Sequence, residues 1–114
     1  MISVGLHLEG AWRPLELYVD SGAAYTILRA KVAEDAGFGY QKGTKVFVQV
    51  GDGAMIPVFL HELPIQIGGR RFVAPVGFSE KLGVPFNLLG RLRVFERFKI
   101  CFHERRKLLT FQPI

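Results

Sequence analysis

The chain has 114 residues, 49% of them hydrophobic and 22% charged, which excludes a disordered tail and predicts one domain spanning residues 1–114. No segment approaches the roughly 20 apolar residues of a membrane span, and the single cysteine, Cys101, excludes an internal disulfide. The net charge is +5, and residues 91–107 alone carry seven cations and two carboxylates. We expect a cytoplasmic protein with no membrane partner.

Short strands separated by glycines make up the first half of the predicted structure. Apolar residues predict strands at 2–8 and 15–19 around a Glu9-Gly10 turn, and another strand at 25–28. An alanine-rich segment at 29–36 predicts a short helix that stops at Gly37.

Two further hairpins are predicted in the second half. One pairs residues 46–50 with 55–61 around Gly51-Asp52-Gly53, and the other pairs 63–67 with 72–78 around Gly68-Gly69-Arg70. Beyond Gly90 the three-residue spacing of apolar side chains predicts a second short helix, and residues 99–103 and 107–112 close the chain as strands; the spaced side chains are Leu92, Phe95 and Phe98. This pattern predicts a mainly β barrel or sandwich.

The sequence lacks the motifs of most catalytic chemistries. His7, His61 and His103 are scattered without the paired spacing of a zinc site, and no Gly-x-Ser-x-Gly segment is present. The glycine-rich residues 37–44 match neither phosphate-loop pattern and read as a loop. We therefore expect no metal and no cofactor.

Residues 17–28 contain a carboxylate in an unusual place. Asp20 ends an apolar strand and is followed at once by Ser21, Gly22 and Ala23. Burying a lone carboxylate costs several kcal/mol unless donors surround it, which favours a functional role. Taken alone, the segment fits equally well a simple turn in which Asp20 only accepts bonds from local amides.

A second segment favours the functional role over the simple turn. It is Pro85-Phe86-Asn87-Leu88-Leu89-Gly90-Arg91. Together the two segments resemble the retropepsin-like aspartic proteases, the single-domain family of retroviral proteases and their cellular and prokaryotic relatives. Members pair a hydrophobic-hydrophobic-Asp-Ser/Thr-Gly-Ala motif with a later hydrophobic-hydrophobic-Gly-Arg motif. The resemblance runs from Ile2 to about Gln112 and implies a retropepsin-like closed barrel of short strands with one or two short helices, assembled as a homodimer.

The resemblance also implies roles for individual residues. Asp20 is the expected catalytic aspartate, Ser21 the hydroxyl that ties two active-site loops together, and Gly22 a carbonyl that faces substrate. Asn87, Gly90 and Arg91 are expected to be structural. Gly51, Asp52 and Gly53 are expected to form a flap that binds substrate. The other expected substrate-binding residues are Ala23, Ala24, Ile27, Phe86 and Leu88.

The chain departs from the family pattern at two positions near the arginine. Viral members carry an acidic residue four positions after the catalytic aspartate, where this chain has Ala24, and Leu92 follows Arg91 where relatives often have Asp or Asn. Arg91 must therefore find another partner. The first strand also begins close to the N-terminus, so dimerisation is expected to rest on residues 107–114.

Peptide hydrolysis by carboxylates needs one ionised and one protonated group. The other aspartates, Asp35 and Asp52, fall in a predicted helix and at a turn, so a two-fold axis that pairs Asp20 with its copy is the expected solution. We predict an aspartic endopeptidase acting on a peptide or protein substrate.

Two alternatives stay open. One is a catalytically silent dimer that binds peptides or serves assembly. The other is a basic β-barrel that binds nucleic acid, which is supported only by the cations of residues 91–107. The sequence disfavours a nucleic-acid partner, because aromatic residues for base stacking are not interleaved with these cations at exposed-looking positions.

Overall fold

The computed structural model describes residues 1–50, 53–83, 87–103 and 108–113, with side chains described as far as Phe98. Two single 3₁₀ turns occupy Tyr40–Lys42 and Phe95–Arg97. The other elements are, in chain order, β1 (Ile2–Leu8), β2 (Ala11–Val19), β3 (Thr26–Arg29), α1 (Ala30–Asp35), β4 (Thr44–Gln49), β5 (Met55–Ile67), β6 (Arg70–Ser79), β7 (Asn87–Leu89), β8 (Phe98–His103) and β9 (Leu108–Pro113).

Six of these strands close into a barrel in the order β1, β2, β7, β3, β6 and β5. The ring closes where β1 meets β5, with Gly5 opposite Gln66 and Leu6 opposite Ile65. Among the described strands, β4 lies outside the ring and pairs only with β5, and β8 and β9 form a separate two-stranded sheet. The predicted mainly β closed barrel with few short helices is confirmed.

The alternation of side chains along the strands fills the barrel. Val4, Leu6 and Leu8 of β1 point inward and are nearly inaccessible to solvent, as the two-residue period of a strand dictates. A second, smaller cluster lies under the β4–β5 hairpin and contains Ile56 and Val58. Each fully buried aliphatic side chain contributes about 1.5–3 kcal/mol to stability, so this cluster anchors the hairpin to the barrel.

Several predicted strands are longer in the structure. β2 begins at Ala11 because pairing with β1 continues to the Glu9-Gly10 turn, where both residues have positive φ. The predicted break near residue 62 is wrong, because β5 is one strand of 13 residues. Its first half pairs with β4 and its second half with β6, so both halves have a partner.

The helices agree in part with the sequence prediction. α1 ends as expected, with Gly37 at φ +71 and its N–H donating to Glu34 O at 3.0 Å. The second predicted helix is only a 3₁₀ turn, because Leu92 is exposed and Val94 takes the core position instead. The sequence did not predict β7 as a strand, nor the burial of Tyr40 in the loop after α1.

No helix in the described ranges is long and apolar enough to cross a membrane.

Candidate active site

Asp20 occupies its place because β2 and β7 run parallel. Leu17, Tyr18 and Val19 pair with Asn87, Leu88 and Leu89, and the ladder continues through the Asp20 N–H, which donates to Leu89 O at 3.0 Å. The carboxylate therefore lies directly beyond the end of a strand whose neighbour fixes its backbone.

The turn after Asp20 is held by the aspartate itself. The Gly22 N–H donates to Asp20 Oδ1 at 2.9 Å, and the Ala23 N–H donates to the Asp20 carbonyl at 3.1 Å. Such a turn is expected both if Asp20 is catalytic and if it only accepts bonds from local amides. The bond to Gly22 uses one carboxylate oxygen, so Asp20 keeps the other for a ligand.

Three hydrogen bonds join this turn and the start of β3 to the segment after β7. The Arg91 N–H donates to Ala23 O at 3.0 Å, and the Leu92 N–H donates to Ala24 O at 2.9 Å. The buried Thr26 hydroxyl accepts from the Gly90 N–H at 3.0 Å. These bonds make the two motif segments a single rigid unit.

Gly90 is required at the crossing of these segments. A Cβ on Gly90 would overlap the backbone carbonyl of Tyr25, which cannot move without breaking the adjoining ladder. Thr26 was not identified from sequence, since a threonine in a short apolar run reads only as a good strand former.

A cleft of about 760 Å³ opens beside Asp20. Ala23, Ala24, Ile27 and Leu88, which the sequence predicted to bind substrate, line it together with Gly22. The predicted Gly51, Asp52 and Phe86 lie outside the described residues. Six lining residues were not predicted from sequence, namely Tyr25, Phe47, Val48, Gln49, Val50 and Leu82.

The β4–β5 hairpin forms one wall of the cleft. Near its tip the Gly53 N–H donates to Val50 O at 2.8 Å, and the Val50 N–H donates to Ala54 O at 2.9 Å. Gly53 has φ +88, a conformation in which a residue with a side chain is strained. Gly53 is thus hydrogen bonded to Val50, which lines the cleft.

The loop after β6 contributes Leu82 to the cleft lining, and Leu82 is almost fully buried in the same cluster as Ile56 and Val58 of the hairpin. The Ser79 hydroxyl donates to Pro57 O at 2.9 Å and accepts from the Lys81 N–H at 3.1 Å. The Tyr40 hydroxyl donates to Glu80 Oε1 at 2.6 Å. Burial, and then this bond to Glu80, raises the pKa of Tyr40 to about 12.

The predicted structural residues of the second motif have separate contacts. Asn87 Oδ1 accepts from the Arg29 N–H at 2.8 Å, which joins β7 to the residue that precedes α1. The Arg91 side chain is exposed and forms no ion pair with a described carboxylate, so its described contacts are those of its backbone.

Ser21 is exposed beside Asp20, and its hydroxyl makes no hydrogen bond with a described residue of the same protomer. Its predicted role, a tie between loops, stays a prediction. Asp35 lies on α1 in an ion pair with Lys31, away from the cleft.

The described part of the chain holds no cluster of three or more histidine, cysteine and acidic side chains that could bind a metal ion. Two of the histidines have structural contacts instead. His61 Nε2 donates to Tyr40 O at 2.7 Å, and His7 packs edge-on against Trp12 with ring centroids 5.2 Å apart.

Comparison with known proteins identifies one family. A family model described as aspartyl protease, of the retropepsin-like clan, matches residues 4–91, a range that holds both Asp20 and Gly90. No curated protein matches the chain. Since the matched residues make up most of the chain and include both motif segments, the chain belongs to this aspartyl protease family of the retropepsin-like clan.

Proposed function

We propose that the chain is an aspartic endopeptidase whose active unit is a homodimer, with Asp20 of each protomer forming the catalytic pair. The observation that carries this proposal is the composition of the cleft. Among its described lining residues Asp20 supplies the only carboxylate, whereas the reaction requires two. A two-fold axis beside Asp20 supplies the second.

The chemistry follows from two carboxylates that share one proton. The ionised aspartate removes a proton from a water molecule, whose oxygen attacks the peptide carbonyl carbon, while the protonated aspartate gives its proton to the carbonyl oxygen. The aspartate that took the water proton passes it to the nitrogen, the other aspartate takes a proton back from a hydroxyl of the tetrahedral intermediate, and the C–N bond breaks. The products are a carboxylic acid and an amine, and the pair returns to its starting protonation state.

The bonds that fix Asp20 support this role. The β2–β7 ladder and the Gly22 amide hold the carboxylate before substrate arrives, so little reorganisation is needed at the moment of reaction. The cleft is lined largely by apolar side chains, among them Ile27, Leu82 and Leu88. We therefore propose substrates with apolar side chains on at least one side of the bond that is cleaved.

Dimerisation through the C-terminal strand fits the topology. Among the described strands, β8 and β9 pair only with each other, so the outer edge of β9 has no described partner strand. Its sequence, Leu108-Leu109-Thr110-Phe111, is apolar, and an unpaired edge of that composition invites association. We propose that this edge pairs with a second copy of the chain.

A catalytically silent dimer that only binds peptides is the second candidate. It is favoured by the exposed Arg91, which has no ion pair with a described acidic residue. Both candidates bind peptide in the same cleft, and cleavage separates them.

The test is incubation of the purified protein with an unstructured protein substrate across acidic and neutral pH, with and without a statine-type inhibitor. We expect fragments that the inhibitor suppresses, and no fragments with Asp20→Asn. Asp35→Asn is the matched control, because it removes an exposed aspartate outside the cleft and should leave cleavage unchanged. Binding of the inhibitor without any cleavage would support the silent dimer instead.

A further inference from the structure

A second concave surface lies on the barrel at the far end of β6 from the cleft. It consists of two neighbouring depressions of about 440 and 180 Å³. β6 spans roughly 30 Å from Arg70 at this surface to Ser79 near the cleft. We call this surface the arginine groove and define it by Trp12, Gln66, Arg70, Arg71 and Arg97.

Arg71 joins the two depressions. Its guanidinium carbon lies 4.5 Å from the centroid of the Trp12 ring, and its Nε donates to Gln66 Oε1 at 2.7 Å. The ring and the Gln66 amide hold the guanidinium in one orientation. Because only Nε is used in this bond, the terminal nitrogens of Arg71 keep their donors for a ligand.

Arg97 is held in the same way. Its guanidinium carbon lies 4.8 Å from the centroid of the Phe72 ring, and its Nε donates to Arg93 O at 3.2 Å. Two guanidinium groups are thus fixed by a ring face and a neutral acceptor. Fixed guanidinium groups bind an anion at lower entropic cost than free side chains do.

The charge of the groove is positive. Arg70, Arg71 and Arg97 line the smaller depression with a single carboxylate, Glu96, and none of the three arginines forms an ion pair with a described acidic residue. Glu62 is paired with Arg93, and Glu16 accepts a hydrogen bond from Ser3, which lines the larger depression.

Trp12 adds a flat surface beside these charges. Its ring contacts Arg71, His7 and Gly5, and about a third of the residue stays exposed beside the larger depression. A cation beside an exposed indole is the combination that binds single-stranded nucleic acid, where phosphates meet arginines and bases stack on rings. An acidic peptide would use the arginines but not the indole.

We infer that the arginine groove binds single-stranded nucleic acid, with backbone phosphates on Arg70, Arg71 and Arg97 and a base against the part of Trp12 that Arg71 leaves exposed. This site is separate from the cleft and does not depend on catalysis. It supplies the exposed aromatic residue beside cations that the sequence alone did not reveal.

The chain carries its own probe for this inference, because Trp12 is its only tryptophan. Titration of the full chain with a short oligouridine RNA should quench the Trp12 fluorescence. Three phosphate contacts on a single strand predict a slope of about −2 for the logarithm of the binding constant against the logarithm of salt concentration. Arg97→Gln should reduce this slope to about −1.4 and weaken binding.

Arg29→Gln is the matched control, because it removes an exposed arginine opposite Ser79, at the other end of β6. It should leave both the quenching and the slope unchanged. Trp12→Ala, measured with a labelled RNA, should weaken binding by at least about fivefold, since base stacking is lost.

Three results would overturn the inference. One is the absence of quenching at low salt, and another is an equal loss of binding in Arg97→Gln and Arg29→Gln. The third is a hexaglutamate peptide that binds as tightly as the RNA and is insensitive to Trp12→Ala, which would assign the groove to acidic peptides.

Discussion

At the scale of single residues, the candidate active site is held together where two backbones cross with no room for a side chain. Gly90 lies against the Tyr25 carbonyl group, and its N–H donates to the Thr26 hydroxyl. Asp20 is connected to the same crossing through Leu89 O. A change at Gly90 therefore disturbs the barrel and the carboxylate together.

Gly90→Ala is expected to destabilise the protein by about 3 kcal/mol, because backbone atoms cannot move away from the added methyl group. Urea unfolding measures the loss. Gly69→Ala is the control, since nothing lies within 4 Å of a Cβ there, and it should change stability by less than about 0.5 kcal/mol. Equal costs for the two substitutions would refute the close approach.

Tyr40 makes stability depend on alkaline pH. Its pKa is raised from 10.0 to about 12 in the folded state, so the unfolded chain loses this proton first. The contribution to stability is fully present below pH 10 and is lost as the pH rises towards 12.

Tyr40→Phe should cost about 1 kcal/mol at neutral pH, the value of the lost bond to Glu80. Its stability should fall less steeply than that of the wild type above pH 10, so that the two curves converge. Thermal unfolding across this range measures both curves. Parallel curves would show that the Tyr40 hydroxyl does not titrate as described.

Residues whose role constrains the backbone could be predicted from sequence, and residues whose role depends on distant partners could not. Asp20 and Gly90 lie in short motifs that fit only a few backbone conformations. Thr26 acts through Gly90, 64 residues later, and Tyr40 acts through Glu80, 40 residues later. Leu82 lines the cleft because of where its loop lies. The residue types at these three positions carry no local signal.

At the scale of elements, the β4–β5 hairpin is the part of the cleft that the sequence located best, because Asp-Gly turns flanked by apolar strands predict hairpins. The sequence located β7 least well. Three residues are too few to show a period, and only the parallel partner β2 makes them a strand. β5 was divided at residue 62 because its two pairing partners were not visible in the sequence.

Gly53→Val tests whether the hairpin acts as a catalytic lid. A β-branched residue at φ +88 strains the turn by about 1–2 kcal/mol and displaces Val50, which lines the cleft. We expect kcat to fall by about tenfold with a small loss of thermal stability.

Gly10→Val is the matched control for that substitution. Gly10 has φ +76 in the β1–β2 turn and nothing within 4 Å of an added Cβ. It should reduce stability by a similar amount and leave turnover unchanged. A similar loss of turnover in both variants would show that the hairpin tip has no special role.

At the scale of the whole molecule, the barrel presents two surfaces at opposite ends of β6. The cleft contains one carboxylate among its described lining residues, and the arginine groove contains a concentration of positive charge. The separation means that a nucleic acid in the groove and a peptide in the cleft need not compete. The strand pattern predicted a mainly β barrel or sandwich and the family resemblance implied the closed barrel, whereas the groove depends on which strands meet.

The central claim is that two copies of Asp20 act as one pair. The most direct measurement is the peptidase activity of wild-type chain refolded together with Asp20→Asn chain at constant total concentration. If each active unit needs two intact protomers, activity follows the square of the wild-type fraction, and an equimolar mixture keeps about a quarter of it. Asp35→Asn in place of Asp20→Asn should leave activity unchanged. A linear fall, with about half the activity in the equimolar mixture, would mean that each protomer carries a complete active site and would contradict the account.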